Sequence, residues 1–384
     1  MRVFGSVVTM VKVCLFFLNI YVLTMVVVVV LGKWPLFSSN GTIRKYDGSH
    51  LIVTRELNEK HSHDEHIAPV TKQPGGLKAN DISPMRENKK LVSDVVETET
   101  RVTTLNYWCD RIRPQTARAV DLDVFHLQQI LVDDDHKMLY CQIPEVAQTD
   151  WLRILVFLTG KVKVNNHLSM TSYDVHSKYN KYLKKLSDFS VKERQRRIKD
   201  YYKFVFVREP IERLVGVYRN KFYAKYSTYF HQTFGRKIIK KYRKNPSKAS
   251  LLKGNDVTFA EFIQYLVDSE RDDREPLNEH WEQYYKHCHP CLIRYNFVGT
   301  FENLQRDVQY VLKKTSAVQK LKPPLTSPVS PYSESFLTSM YKSVSTTNIR
   351  KLWKMYYPDY NLFSYQYPTV LDKLLKSAKV FEDY

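Results

Sequence analysis

The 384-residue sequence contains no Walker A loop, no dinucleotide glycine fingerprint and no metalloprotease motif. A glycine-built nucleotide loop and a helical zinc protease are therefore both set aside. There is no internal repeat, which sets aside solenoids and propellers. Acidic residues are missing altogether between Arg213 and Asn255. Cysteine is scarce. Of five, Cys14 lies in an apolar run, leaving Cys109, Cys141, Cys288 and Cys291. His287-Cys288-His289-Pro290-Cys291 could begin a zinc site, but no second closely spaced pair completes four ligands. The even count suits two disulfides, in any of three pairings, in an oxidising compartment. No metal is expected.

Long apolar runs are limited to one. Val13 to Leu31 is interrupted only by Asn19 and Thr24, and at about 1.5 Å per residue nearly spans a hydrocarbon core. No small-residue cleavage pattern follows it, so it reads as an uncleaved signal anchor. Asn40-Gly41-Thr42 is a glycosylation acceptor beyond the anchor. Residues 33 to about 100 are polar, mixed in charge and low in aromatics, the composition of a flexible stem. The expected organisation is a cytoplasmic tail over 1–12, a transmembrane anchor over 13–31, a stem over 32–105 and a folded domain over 106–384.

Positive charge is abundant. Lys and Arg number 59 against 40 Asp and Glu, a net charge of +19. Residues 1–100 hold 12 of the former and 10 of the latter, so +17 of the excess falls in residues 101–384. Arg219 to Lys253 alone contains eleven Lys and Arg, interleaved with Tyr223, Tyr226, Tyr229, Phe230 and Tyr242. Such a surface suits a polyanion, nucleic acid or acidic polysaccharide, and is otherwise a solvated basic face. The anchor, the acceptor asparagine and the paired cysteines weigh against nucleic acid.

Three segments read as strand, tight turn and helix: MLYCQIPEVAQTDWLRILVFL, KFVFVREPIERLVGVYRNKF and RYNFVGTFENLQRDVQYVLKK. Strands alternating with helices predict an α/β domain built on a parallel sheet. In the second segment, Phe204 to Val207 is a continuous apolar run and Pro210 suits a first helical turn. Ile211, Leu214, Val215, Tyr218 and Phe222 then mark one buried helix face. Arg208 falls at the strand end, where helix N-termini favour anions and a planar guanidinium suits phosphate. The alternative is a buried Arg–Glu pair tying helix to sheet. FAEFIQYLVD, and a stretch near Thr347–Tyr357 after the Pro- and Ser-rich KPPLTSPVSPYSES, predict two further helices.

The second segment resembles the 3′-phosphate-binding motif of the Golgi carbohydrate sulfotransferases, in the group including the HNK-1, chondroitin 4-O- and dermatan 4-O-sulfotransferases. NEHWEQYYKHCHPCLIRYNFVGTFENLQRDVQYVL and IRKLWKMYYPDYNLFSY extend the likeness, which covers most of residues 138–365. The resemblance implies a P-loop-like sulfotransferase fold with a central parallel sheet, in a Golgi type II membrane protein. It implies transfer of a sulfuryl group from 3′-phosphoadenosine 5′-phosphosulfate (PAPS) to a glycan hydroxyl, on a chondroitin-, dermatan- or N-glycan-type acceptor. One donor cradle would comprise Glu145, Val146, Ala147, Gln148, Thr149, Asp150, Trp151 and Arg153. The other would comprise Arg208, Glu209, Pro210, Ile211, Glu212, Arg213, Leu214, Val215 and Gly216. His280 is the candidate base, or else a histidine of the core, with Glu279 a weaker candidate.

Two positions depart from the family pattern. Glu145 stands where the family has a lysine that neutralises charge on the bridging and leaving oxygens, and Gly216 stands where it has a serine. Asp150 adds a second carboxylate. These changes predict a slowed chemical step, or a glycan-binding protein of the same fold without turnover.

Overall fold

The computed structural model describes residues 83–112, 124–268, 277–327 and 332–382. The apolar run Val13–Leu31 and Asn40 lie outside the described residues. Among those described, no helix is long and apolar enough to cross a membrane.

Helix α1 (Ser83–Ile112) crosses the expected stem boundary at 105/106. Its last turns are tied down: Leu105 and Cys109 are buried, and Arg101 donates to the Val298 carbonyl at 2.7 Å and to Asp307 Oδ2 at 2.8 Å. Packing therefore begins before residue 106.

Strands β1 (Ile130–Asp133) and β2 (Met138–Cys141) form a hairpin. Asp133 Oδ1 accepts the backbone N–H groups of Asp135 and His136, turning the chain. With β3 (Lys184–Lys185), β4 (Tyr202–Val207) and β5 (Phe297–Thr300) they build one sheet, ordered β3-β1-β2-β4-β5. β4 runs parallel to both β2 and β5, whereas β1 is antiparallel to β2 and to β3. The sheet is thus mixed, not wholly parallel as expected. A turn as short as 134–137 can return a strand only antiparallel.

All three strand–turn–helix units form. β2 leads into α2 (Gln148–Leu158), β4 into α3 (Pro210–Tyr218), and β5 into α5 (Leu304–Lys314), with α4 (Phe259–Val267) and α6 (Thr346–Leu362) packed beyond α3. Trp151 seats α2 on the sheet, its ring 5.2 Å from Tyr140, 4.6 Å from Phe204 and 5.3 Å from Phe206. Burying such rings contributes roughly 1.5–3 kcal/mol each. A second apolar cluster joins α3, α4 and α6 around Trp281.

Two disulfides, Cys109–Cys291 and Cys141–Cys288, staple α1 and the end of β2 to the segment before β5. Cys141, His287 and Cys288 are the one group of potential metal ligands that converges among the described residues. Both sulfurs there are in a disulfide, and a metal would need thiolates. His287 Nε2 instead meets the Gln142 carbonyl at 2.9 Å.

Candidate functional site

Because β2 and β4 are adjacent and parallel, the loops leaving their carboxyl ends lie side by side, where open α/β sheets gather ligands. Between them opens a cleft of about 700 Å³, lined by residues of both loops, by Asn220, Lys221 and Tyr226 after α3, and by Glu279 and His280. Ser172, His176, Phe301 and Tyr332 complete its walls.

The first loop is wound tightly. Glu145 and Ala147 both take positive φ, 67° and 53°, and Ala147 caps α2 from the left-handed region. Such a winding turns successive backbone N–H groups toward one side, as in anion-binding nests. Thr149 presents its hydroxyl to His176 Nε2 at 3.0 Å. The Glu145 carboxylate lies in the cleft, its Oε2 accepting from Asn220 Nδ2 at 2.7 Å. Asp150 is not a free second charge: Arg153 Nη1 meets it at 2.8 Å, and Ser327 donates to it through Oγ and N. Arg153 is thereby engaged, with its Nε on the Met170 carbonyl at 2.8 Å. Val146 and Trp151 are core residues.

In the second loop Arg208 lines the cleft although only 5% exposed. Its guanidinium lies over Phe301, 4.1 Å to the ring centroid, and Nη2 pairs with Glu212 Oε1 at 2.9 Å. The buried Nε has no hydrogen-bond partner among the described residues. The alternative reading of this arginine, a buried Arg–Glu pair, is therefore observed, and the pair leaves donor capacity to spare. Glu209 caps α3, accepting the Glu212 N–H at 2.7 Å. Pro210 opens the helix, and Ile211, Leu214 and Val215 face the second apolar cluster. Gly216 sits behind Arg208 and Glu145.

Arg213 does not line the cleft. Fully buried, it donates to three backbone carbonyls: Pro144 in the first loop at 3.2 Å, Glu282 at 2.7 Å and Glu279 at 2.9 Å. One side chain on α3 therefore fixes the first loop and the turn carrying His280. It positions the site without facing it.

His280 reaches the cleft with Nδ1 against Asn278 Oδ1 at 2.7 Å. An amide oxygen only accepts, so the proton is assigned to Nδ1, and Nε2 carries the lone pair. Burial, then the nearby charges of Lys221 and Arg213, push the imidazole pKa down to about 2. The ring is neutral, and able to accept a proton. His176 is shifted the same way, by burial and then by Lys221. Glu279 Oε2 accepts from Gln129 at 3.1 Å. His176, Asn220 and Lys221 were not singled out in the sequence, where nothing in SYDVHSKY or YRNKF marks them by period or spacing.

With that geometry in place, comparison with known proteins is informative. Residues 128–366 match the sulfotransferase family. Carbohydrate sulfotransferase 11 of Rattus norvegicus is 40% identical over 245 residues, covering 64% of this chain and 69% of that protein. Carbohydrate sulfotransferase 9 of Homo sapiens is 38% identical over 299 residues, 75% and 65% of the two chains. Carbohydrate sulfotransferase 14 of Homo sapiens is 37% identical over 252 residues, 64% and 62%. No solved structure matches the chain.

Proposed function

The chain belongs to the sulfotransferase family, among relatives named carbohydrate sulfotransferases, and from that premise we propose that it transfers a sulfuryl group from PAPS to a glycan hydroxyl. The observation that carries the reading is Arg208, buried at a strand end over the cleft with Nε unpartnered among the described residues. PAPS supplies an activated sulfuryl group on a nucleotide bearing a 3′-phosphate. Arg208 fits that phosphate, since a charge-assisted bond would satisfy a buried donor. The wound loop after β2 and the Thr149 hydroxyl fit the phosphosulfate, and the Glu145 carboxylate does not.

His280 Nε2 takes the proton of the attacking hydroxyl. Burial is the larger cause of its low pKa and the nearby cations the smaller; a polyanionic donor would offset the cations and to that extent strengthen it as a base. The basic run Arg219–Lys253 suits an acidic acceptor of chondroitin or dermatan type, or an anionic N-glycan. The run Val13–Leu31, the acceptor Asn40 and the two disulfides support a Golgi type II protein with a lumenal domain; loss of mobility shift on endoglycosidase treatment would count against it.

A second reading has its own observation. The carboxylate of Glu145 beside Arg208 suits a glycan-binding relative that binds donor poorly and does not turn over. Calorimetry with 3′-phosphoadenosine 5′-phosphate (PAP) tests both. Micromolar binding lost in Arg208→Ala, together with sulfate transfer to chondroitin, supports the enzyme. Absence of PAP binding overturns it.

A further inference from the structure

We propose that Lys221 supplies, from the turn after α3, the cation that the first donor loop lacks because residue 145 is a glutamate. The inference rests on the sulfotransferase reading and concerns how the same site completes its charge.

Arg219–Tyr223 is a π-helical turn that continues α3, closed by the Ala224 N–H on the Arg219 carbonyl at 3.0 Å. Such turns insert an extra residue and shift the phase of a helix, often at functional sites. Here the consequence is that consecutive residues, Asn220 and Lys221, both line the cleft. They have opposite tasks. Asn220 holds the Glu145 carboxylate through Nδ2 at 2.7 Å, while Lys221 brings in a positive charge.

Lys221 is partly buried and makes no ion pair or hydrogen bond among the described residues; its Nζ lies 5.2 Å from the centroid of the Phe230 ring. By contrast, three arginines of the two loops and their helices are engaged: Arg208 on Glu212, Arg153 on Asp150, and Arg213 on three carbonyls. A partly desolvated ammonium without an anion is a site waiting for one. Its charge also reaches both histidines of the cleft, where it is the largest influence after burial in lowering the pKa of His280 and of His176. Lys221 therefore shares the cleft with the proposed base and with Thr149 of the first loop.

The reaction needs a cation there. The acceptor hydroxyl oxygen forms a bond to sulfur as the bond from sulfur to the bridging oxygen breaks. The electron pair of the broken bond stays on that oxygen, which departs with the 5′-phosphate. The hydroxyl proton goes to His280 Nε2. Negative charge grows on the bridging oxygen, and a preorganised cation stabilises it in the transition state more than in the ground state.

The test uses the full-length protein. Lys221→Gln should lower kcat by about 100-fold, while Kd for PAP changes by less than about fivefold and Lys221→Arg keeps most of the rate. Glu145→Lys added to Lys221→Gln should recover at least part of the lost kcat, since it returns a cation to the loop. Independently of turnover, NMR titration of Lys221→Gln should show the pKa values of His280 and His176 rising. Unchanged kcat in Lys221→Gln, unmoved histidine titrations, or PAP binding without turnover in the natural protein would each overturn the inference. Absence of PAP binding in the natural protein would instead overturn the sulfotransferase reading beneath it.

Discussion

Glu145 Oε2 and Arg208 Nη1 reach the same point from two loops, each 3.4 Å from where a Cβ on Gly216 would stand. They form no ion pair with each other, for Arg208 pairs with Glu212 and Glu145 bonds to Asn220. Residues 145 and 216, both singled out in the sequence, therefore meet at one place in space.

That proximity makes Gly216 testable by itself. A Cβ at 3.4 Å meets ordinary van der Waals contact, and the residue is inside α3. Gly216→Ala should raise stability by about 0.5–1 kcal/mol, since it removes the extra backbone freedom of glycine in the unfolded chain. Thermal unfolding would show a rise of a few degrees at most. A fall larger than this gain would mean that the added side chain is not accommodated.

Glu145 should act on donor affinity through its charge. Glu145→Gln keeps an amide oxygen for Asn220 and removes the anion beside Arg208. A unit charge at such a range, at an effective dielectric near 20 or above, is worth on the order of 1–2 kcal/mol. Affinity for PAP should accordingly rise about tenfold at low ionic strength and less at high salt. Equal affinities at low salt would place the phosphate out of reach of residue 145.

Arg213 should matter more for stability than its position in the motif suggests. Arg213→Lys keeps a charge but cannot reach three divergent carbonyls. Stranding buried acceptors costs about 1–3 kcal/mol each. A loss of roughly 3 kcal/mol in urea unfolding is expected, with PAP binding weakened because the first loop and the His280 turn lose their common tether. A variant as stable as the natural protein would show that these bonds are dispensable.

The difference between Arg208 and Arg213 marks how far the sequence could be read. Arg208 was legible because a local pattern, an apolar run and then a prolyl helix start, puts it at a strand end. The burial of Arg213 comes from a turn some 66 to 69 residues later closing over the polar side of α3, which periodicity along one helix does not reveal. The same limit applies to Arg101, whose partner Asp307 is 206 residues away and whose helix begins in a segment of stem-like composition. The antiparallel β1 is not legible for a local reason, since ILVD is too short to show a period. His176 enters the cleft by tertiary folding, and Lys221 through a π-helical turn after α3 that no sequence period announces.

The disulfide pairing is also a matter of tertiary structure, as spacing leaves three alternatives open. Non-reducing peptide mapping should recover Cys109 linked to Cys291 and Cys141 linked to Cys288. With a separation of 147 residues, the second bond is worth roughly 5 kcal/mol in the chain-entropy model. It also fixes the end of β2, from which the first donor loop departs. Peptides joined in another pattern, or thiols alkylated without reduction, would contradict the arrangement.

The pH dependence of stability should expose the group behind Arg208. Asp359 is fully buried and accepts the backbone N–H groups of Tyr284 at 2.8 Å and Tyr285 at 2.9 Å. The Tyr284 hydroxyl in turn donates to the Arg208 carbonyl at 2.7 Å. Burial pushes the Asp359 pKa up to about 7, against 3.8 for an ordinary aspartate, although both N–H groups favour the charged form. Between those values the folded state holds a proton that the unfolded chain has lost. This contribution to stability is thus fully present below about pH 4 and is lost as pH rises through about 7. Asp359→Asn sacrifices one acceptor and does not titrate. It should therefore be clearly less stable than the natural protein at pH 5, and the deficit should shrink by roughly 2–4 kcal/mol on going to pH 8. Urea midpoints across that range would check it. A deficit that stays constant with pH would mean that Asp359 ionises in the folded protein as readily as in the unfolded chain.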